Sequence, residues 1–515
     1  MVEKAKQPAG QPAGTEDLFK RSRQTIQGTH TEELVIGLCG AIGSPIHAVA
    51  DDLKTLLEQR YSYECRVIRL SALIEKYHGK APASPRFDRI TGLIDGGNAL
   101  RAKYGHSVLA DLAVHEIAKV REEYGERAEK QKDLKPYRRV CHIIDSIKNV
   151  EELRVLRLVY RDMFYSIGVF APVGDRVQNF EGDGLDLAEI YKLIDRDSGE
   201  EIENGQSVRD TFPQSDFFLR AGREPADDRR KRLKRFMDLI FHVRVSTPTA
   251  DETAMYQAAS AAGNSACLSR QVGAAITDAN GEILAIGWND VPRKGGGLYV
   301  ADPTGAAKDN RCLNWGEKCH NDFYKLKMAE RIADAVCDTE LIGKDKKADL
   351  IAAIRKPLSS LIEYSRSIHA EMHAIISASQ SGGARVKGGR LYCTTYPCHN
   401  CARHIIAAGI SEVYYIEPYR KSMAITLHGD AISEEESKTD CVRILPFDGV
   451  SPNKYLSLFE AKADWRKDSD GKLIKRNTHD VRPKVEATLE SLPALEAIIV
   501  NRLADQHLIQ TGTAK

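Results

Sequence analysis

The sequence predicts an α/β protein of 515 residues that is built from two domains in series. In the first half, short apolar runs alternate with helical patterns, which is typical of a parallel sheet with helical crossovers. In the second half, two apolar runs flank Asn280-Gly281, a strong hairpin signal, and further runs alternate with helical patterns. Hydrophobic residues make up 42% of the chain, which is enough for globular cores.

The first domain is predicted to cover residues 31–222. Before it, residues 1–30 are polar and repeat Gln-Pro-Ala-Gly, a composition typical of a disordered tail. Helical patterns lie between the apolar runs, for example over 98–124. The runs themselves predict four strands, at 34–38, 66–70, 139–144 and 165–171.

A charged helical stretch over 227–241 marks a linker at 223–247, and a run of this kind usually forms a solvated face. The second domain is predicted over 248–464, with a long, partly helical insertion at 293–366. The extension at 465–515 is charged and then helical over 485–505. Within the second domain we predict strands at 272–277, 283–288, 390–395, 412–416 and 442–446, and helices around Met255, at 369–378 and at 398–408, the last ended by Gly409.

Charge and cysteine content restrict the function and the compartment. The formal net charge is only +1, from 74 basic and 73 acidic side chains, which argues against a long polyanion as the main partner. The 11 cysteines are odd in number, and no signal peptide opens the chain, so we expect thiols that are free or bound to metal in a reducing cytoplasm. No run of about 18 apolar residues suggests a membrane span.

Two short segments carry the chemistry, His369-Ala370-Glu371 and Pro397-Cys398-His399-Asn400-Cys401. They match the H-x-E and P-C-x-x-C signature of zinc-dependent base deaminases. Cys398 and Cys401 are spaced to share one helical face, in a first turn where the helix dipole favours thiolates. With His369 they provide three zinc ligands and leave the fourth tetrahedral position open for water, as in catalytic zinc sites. Bound zinc lowers the pKa of that water to about 7.

Glu371 is predicted to be the catalytic acid and base. It follows the histidine ligand by two residues, beside the metal but without binding it. Its carboxylate can take a proton from water, pass it to ring N3 and protonate the leaving ammonia. A lone C-x-x-C is often half of a structural zinc site or a redox pair, and a lone H-A-E often arises by chance. Together, each at a predicted helix start, they favour catalysis.

These motifs resemble the cytidine and deoxycytidylate deaminase superfamily, whose fold is a three-layer α/β/α domain with a mixed five-stranded sheet. Asn289 with Val291-Pro292 and the Gly295-Gly296-Gly297 turn favour the deoxycytidylate branch. The resemblance implies that Asn289 contacts the sugar 3′-hydroxyl, although a turn residue after a strand is the alternative. The same resemblance suggests phosphate contacts, each of which taken alone is an ordinary surface charge, at Arg270, Lys294, Arg311, Arg420 and Lys421.

A second metal set remains an open alternative. Some deoxycytidylate deaminases carry an additional structural zinc, and here the candidate ligands are Cys267, Cys312, Cys319 and His320. The other interpretation is a buried thiol together with ordinary loop cysteines.

In the first domain, the segment 37–44 resembles the start of a P-loop, and the domain resembles the nucleotide kinases. An intact motif would continue with Gly-Lys-Ser, but Pro45, Ile46 and His47 follow instead, so we expect no efficient kinase activity. Backbone amides at a helix start can still hold a phosphate. The domain is therefore either a regulatory, nucleotide-sensing domain or a scaffold for oligomerisation, and the candidate nucleotide contacts are Gly37, Gly40, Gly43 and Ser44.

The whole arrangement resembles bacterial anti-phage dCTP deaminases, in which a P-loop-kinase-like domain precedes the deaminase. We therefore expect zinc-dependent deamination of dCTP, dCMP or both to the deoxyuridine nucleotide, depleting dCTP during phage infection. The alternatives are a housekeeping dCMP deaminase, a nucleic-acid cytosine deaminase and a nucleotide-binding regulator with a vestigial centre. The resemblance also implies a homo-oligomer. Unchecked dCTP loss would harm the host, and the alternatives for a regulator are an inhibitor, an activator or an allosteric nucleotide.

Overall fold

A computed structural model describes residues 30–510 with short gaps. The predicted tail at 1–30 therefore lies almost wholly outside the described residues. The gaps are at 83, 131–138, 199–206, 223–224, 306–307, 341, 359–360, 382–384, 419–421, 462–464, 485–486 and 489–490.

The chain forms two compact units. The first unit combines residues 1–215, 221–245 and 462–515, and the second combines 216–220 and 246–461. The first unit is thus assembled from three separate stretches of chain. The C-terminal extension belongs to it, although that extension follows the second unit in sequence.

Four parallel strands form the centre of the first unit: β2 (Leu34–Gly40), β3 (Glu64–Arg69), β4 (Val140–Ile147) and β5 (Phe164–Phe170). They lie in the order β5-β2-β4-β3. Every residue of β2 is buried, as expected for a strand covered by helices on both faces. The predicted strands are present with bounds shifted by at most three residues.

Helices cover this sheet. A two-stranded ribbon, formed by β1 (His30–Thr31) and β14 (Ala487–Thr488), lies apart from it. The helices of the first unit are α1 (Ile46–Tyr61), α2 (Leu70–Tyr77), α3 (Arg86–Tyr104), α4 (Val108–Lys130), α5 (Val150–Tyr160), α6 (Val173–Gly182), α7 (Leu187–Ser198), α8 (Val208–Thr211), α9 (Ala226–Ile240) and, near the C-terminus, the helix Leu492–Asp505. The prediction of one helix over 485–505 was too long. Residues 487–488 pair with β1 instead, and Pro493 suits the first turn of a helix that starts later.

The second unit contains a six-stranded mixed sheet. Its strands are β7 (Gly273–Thr277), β8 (Ile283–Trp288), β9 (Arg390–Thr395), β10 (Glu412–Glu417), β11 (Ile432–Ser433) and β12 (Val442–Pro446). They lie in the order β11-β12-β10-β9-β7-β8. The hairpin β7–β8 is antiparallel, β7 pairs antiparallel with β9, and β9, β10, β12 and β11 run parallel. The expected five strands are present. The sixth, β11, was missed because two residues carry no periodic pattern.

Helices flank the sheet of the second unit, and a short antiparallel pair joins β6 (Phe217–Arg220) to β13 (Gly449–Val450). The helices are α10 (Ala250–Ala262), α11 (His320–Asp338), α12 (Lys347–Leu358), α13 (Ala370–Gln380), α14 (His399–Ala408), α15 (Ala424–His428) and α16 (Tyr455–Phe459), so the C-terminal helix Leu492–Asp505 is α17. A capping box of Thr249 and Glu252 starts α10, and left-handed Gly409 ends α14 as predicted. In the described part of the chain no helix is both long and apolar enough to cross a membrane.

Candidate metal centre

Three side chains converge where two helices of the second unit begin. His369 is the N-cap of α13, Cys398 is the N-cap of α14, and Cys401 lies in the first turn of α14. The His369 Nδ1 atom is 3.4 Å from the Cys398 sulfur and 3.3 Å from the Cys401 sulfur. Among the described residues, these three form the one group of three or more potential ligands whose donor atoms all lie within 4.8 Å of one another.

Gly287 brings the start of α13 close to the sheet. A Cβ at this position of β8 would lie 2.5 Å from the backbone nitrogen of Ala374, closer than atoms can approach. The missing side chain therefore lets α13 pack directly on β8, with its N-terminus beside the end of the strand. His373, one turn into α13, accepts a hydrogen bond from the Trp288 backbone N–H at 3.2 Å and packs edge-on against that indole.

The electrostatics favour a thiolate at Cys398. A hydrogen bond with Cys401, together with His369, lowers the pKa of Cys398 to about 4. Burial opposes the charged imidazolium, but the bond to Cys398 and the charge of Glu371 outweigh it and raise the pKa of His369 to about 9. Burial keeps the pKa of Cys401 well above its ordinary value. The site thus holds negative charge on sulfur beside two helix N-termini, where the dipoles favour it.

This donor set fits a zinc ion. Two sulfurs and one imidazole nitrogen are ligands that zinc prefers, and their mutual approach allows all three to bind one ion. Three protein ligands leave one tetrahedral position for another group. A cavity of 210 Å³ adjoins His369 and Cys398 and gives that position access to a small molecule.

Glu371 borders the same cavity but is only 4% exposed. Burial raises the pKa of its carboxyl group, while the charge of His369 acts in the opposite direction. The carboxyl group is therefore sheltered from bulk water at the wall of the cavity that also adjoins His369 and Cys398. That location suits a group that exchanges protons within the site.

Two of the six predicted substrate contacts, Asn289 and Arg270, line the cavity. Asn289 is 7% exposed, and its amide braces the loop before β7: the Oδ1 atom accepts from Val272 N–H at 2.7 Å, and Nδ2 donates to Arg270 O at 2.9 Å. Nδ2 retains a second N–H. The guanidinium of Arg270 is about half exposed and lies 3.6 Å from the carboxylate of Glu417.

The remaining cationic candidates lie elsewhere. Lys294 is exposed on the glycine turn and does not line the cavity. Arg311 is 8% exposed and is bound to Asp309 at 2.7 Å, with Asp290 at 3.8 Å, so its charge is already paired. Arg420 and Lys421 lie outside the described residues.

Sequence reasoning did not identify several residues that line the cavity. Thr395 and Tyr396 precede the cysteine motif, the insertion contributes Asn321, Ile362 and Ser365, and Ser367 directly follows the insertion. Adjacency to Pro397 was the one available signal for Tyr396, and no periodic pattern marks the insertion residues. The cavity is therefore closed by a segment that the motifs do not predict.

The second cysteine set does not form a compact site in the described residues. Cys267 lines the cavity, Cys319 contacts the Ser269 hydroxyl at 3.3 Å, and His320 Nε2 lies 3.1 Å from Trp315 O. Cys267 and Cys319 both lie near enough to Cys312 to raise its pKa, after burial. Their donor atoms nevertheless do not meet within 4.8 Å as those of His369, Cys398 and Cys401 do.

The candidate nucleotide contacts of the first unit are divided between a strand and a loop. Gly37 lies inside β2, where a Cβ would overlap Phe164 at 2.9 Å, and Gly40 is the last residue of that strand. Gly43 and Ser44 line a separate cavity of the first unit.

Comparison with known proteins identifies a family model and relatives of this chain. Residues 248–417 match the family model "Cytidine and deoxycytidylate deaminase zinc-binding region", so the cofactor of this region is Zn²⁺. The deoxycytidylate deaminase of Enterobacteria phage T4 is 31% identical over 160 residues, which are 31% of this chain and 72% of the phage enzyme. The deoxycytidylate deaminase of Saccharomyces cerevisiae is 24% identical over 322 residues, covering 56% of this chain and 83% of the yeast enzyme.

A solved structure was also found, that of the dCMP deaminase from cyanophage S-TIM5 in complex with dCMP and dUMP. It shares 20% identity with this chain and covers 39% of it and 99% of the phage protein, with a TM-score of 0.23.

Proposed function

The chain belongs to the deoxycytidylate deaminase family, and from this premise we propose that it deaminates deoxycytidine nucleotides, converting dCTP, dCMP or both to dUTP or dUMP. The observation that carries the proposal is the meeting of His369, Cys398 and Cys401 beside a buried carboxylate at the wall of a small cavity. The overall reaction replaces the ring amino group by oxygen from water and releases ammonia.

We propose that His369, Cys398 and Cys401 hold the zinc ion. When bound, zinc supplies a Lewis acid that lowers the pKa of a coordinated water to about 7. The two helix N-termini stabilise the sulfur ligands in their charged form.

Glu371 is the proposed proton carrier. Its carboxylate accepts a proton from the attacking water and delivers it to N3 of the cytosine ring, which activates C4. The carboxylate then takes the remaining proton of that water from the new C4 hydroxyl group and transfers it to the amino nitrogen, so that the C4–N bond breaks, the C4 carbonyl forms and ammonia leaves. Because Glu371 is buried against the cavity, these transfers occur without exchange with bulk solvent.

The proposed substrate contacts are of two kinds, a hydrogen bond to the sugar and charged contacts to the phosphates. The second N–H of Asn289 Nδ2 is a hydrogen-bond donor suited to the sugar 3′-hydroxyl, and the two bonds to the loop hold the amide in one orientation. Arg270 at the cavity is the proposed phosphate contact, since its ion pair with Glu417 is long and half exposed. Lys294 is a further proposed contact, for the outer phosphates of dCTP.

We further propose that dCTP is a substrate and that its depletion serves in defence against phage. The support is the resemblance in domain order to anti-phage dCTP deaminases. Housekeeping dCMP deamination in pyrimidine metabolism is the alternative, and the named relatives are deoxycytidylate deaminases.

Product analysis separates these possibilities. Purified protein loaded with zinc is incubated with dCTP, dCMP, CTP, deoxycytidine and a cytosine-containing oligonucleotide, and the products are separated by chromatography. We expect dUTP or dUMP, and no product after treatment with a zinc chelator. Turnover of dCMP alone would support ordinary pyrimidine metabolism, and turnover of the oligonucleotide alone would overturn the proposed substrate class. If no free nucleotide reacts, the proposal fails.

A further inference from the structure

The first unit contains a second cavity, of 370 Å³, at the carboxyl ends of β2 and β4. These strands are neighbours, and the chain leaves β2 toward one edge of the sheet and β4 toward the other. Crevices at such switch points are where open α/β sheets bind ligands. The volume lies within the range of about 300–1,000 Å³ that is usual for ligand pockets.

The loop after β2 presents its backbone in a fixed orientation. On one side, Arg176 Nε donates to Ile42 O at 2.7 Å, and Asn179 Nδ2 donates to Gly43 O at 3.0 Å. These bonds hold the two carbonyl groups toward α6. The Ile42 N–H instead donates to a carboxylate oxygen of Asp197 at 2.6 Å.

A lysine from the neighbouring strand reaches the same point. The loop itself has no lysine, but Lys148, one residue after β4, donates from Nζ to Gly40 O at 2.7 Å and to Asp197 at 2.9 Å. Its side chain is only 12% exposed. The ammonium group therefore lies against the loop, where a phosphate-binding cation is needed.

The carboxylate of Asp197 occupies the position that the phosphate group of a ligand would take. One of its oxygens accepts from the Ile42 N–H and the other from the Lys148 ammonium, and the residue is 2% exposed. A backbone amide and an ammonium group that converge on a buried carboxylate form a site that a phosphate oxygen can satisfy equally well. Ser44 Oγ, at the same loop, is buried without a hydrogen-bond partner among the described residues.

We propose that this cavity binds a nucleoside phosphate, whose phosphate replaces the Asp197 carboxylate at Ile42 and Lys148. The rest of the cavity suits a base and sugar, because its wall is largely apolar and comes from α2, α3 and α4. The apolar lining residues are Leu70, Ile74, Ile90, Leu93, Ile94 and Leu109. Asp197 must leave when the ligand enters, so binding is coupled to movement of the end of α7.

The site is one for binding and not for phosphoryl transfer. The carboxylate at the end of β4, Asp145, is buried and hydrogen-bonded to His47, which stands where the P-loop hydroxyl would be expected. Because these two side chains are bonded to each other, neither is available to hold magnesium.

Calorimetric titration of the full-length zinc protein with ATP, GTP, dTTP and their monophosphates tests the proposal. These nucleotides lack the cytosine ring and so are not turned over. At least one should bind, and Lys148→Met should weaken it by about tenfold or more through the loss of a charge-assisted bond. Asp197→Asn should tighten binding by a similar factor, because the neutral amide competes less well for Lys148.

Lys54→Met is the matched control, since Lys54 is exposed on α1 and only loosely paired with Glu58 at 3.9 Å. A dissociation constant unchanged by Lys148→Met would assign the binding to another part of the chain and overturn the proposal. If Lys148→Met does not fold, Asp197→Asn alone tests the proposal. Nucleotide binding that is absent or no tighter in that variant would refute the replacement of the Asp197 carboxylate by a phosphate. The test is independent of deaminase activity.

Discussion

Glu371 is the residue on which the proposed chemistry depends most directly. Glu371→Gln preserves size and one hydrogen-bonding oxygen but cannot carry a proton. We expect this variant to retain zinc and to lose about 10²–10⁴-fold in turnover, the usual contribution of a positioned acid–base group. Metal analysis and initial rates measure the two effects. The exposed Glu435→Gln serves as the control, and near-normal turnover in Glu371→Gln would mean that another group moves the proton.

Cys398 tests the metal ligands separately. Its thiolate is expected at neutral pH because the pKa is lowered to about 4, by Cys401 first and then by His369. Cys398→Ala should lose both zinc and activity, as measured by metal content and product formation. Cys441→Ala, in the same unit and outside the site, should lose neither. A Cys398→Ala protein that still holds one zinc per chain would contradict the ligand set.

At the scale of single residues, the sequence predicts which side chains bind metal or transfer protons better than it predicts which side chains form ion pairs with each other. His369, Glu371, Cys398 and Cys401 are recognisable because short spacings at helix starts determine where their side chains lie. Arg311 shows the limit of this reasoning. It was expected near phosphate, but Asp309 and Asp290 bind it. A sequence shows the charge of an arginine and not the carboxylate that folding brings to it.

At the scale of elements, the packing of α13 on β8 depends on Gly287. A methyl group there would meet the helix backbone at Ala370 and Ala374. We expect Gly287→Ala to lower the free energy of unfolding by about 1–3 kcal/mol, as overpacking does, and to weaken zinc retention because His369 caps the displaced helix. Urea unfolding and metal content measure these changes.

The control for this substitution is Gly174→Ala on α6, where the added methyl group meets no atom within 4 Å. Gly174→Ala should leave zinc content unchanged and should not destabilise the protein. Equal stability of wild type and Gly287→Ala would show that the helix can shift without cost.

Elements with long uniform patterns were predicted well. The strands at 283–288, 390–395 and 442–446 have the predicted bounds, because apolar runs between turn signals define them locally. The two-residue strands β1, β11, β13 and β14 were missed. Such strands exist only through their pairing partners, and β1 and β14 are separated by most of the chain.

At the scale of the whole molecule, sequence reasoning did not predict which segments of the chain make up the first unit. The C-terminal helix α17 packs in that unit, where Leu492 and Leu503 join its core. A buried ion cluster adds to this packing: Arg121 on α4 binds Glu33 at 2.6 Å and Glu496 of α17 at 3.0 Å. Glu33 lies 88 residues and Glu496 lies 375 residues from Arg121 in the sequence, and each side chain alone is typical of a surface charge.

Because of this cluster, we expect the stability of the first unit to depend on pH. Burial alone would raise the pKa of Glu33, but its hydrogen bond to His142 and the charge of Arg121 outweigh burial, and the net pKa is lowered. A carboxyl group whose pKa is lowered by folding stabilises the protein above its unfolded pKa, about 4.3. That contribution is lost as the pH falls through the lower folded value.

Arg121→Met should therefore destabilise the first unit by about 3–5 kcal/mol at pH 7, because the buried carboxylates of Glu33 and Glu496 lose the cation that they share. Without Arg121, burial favours protonated Glu33, so the deficit relative to wild type should shrink as the pH approaches 4. Urea unfolding at pH 7 and pH 4 measures both values. Arg66→Met, which removes only an exposed pair with Glu64, should change stability by no more than about 0.5 kcal/mol at either pH. A deficit for Arg121→Met that is equal at the two pH values would mean that the lost packing of its side chain, and not its charge, stabilises the unit.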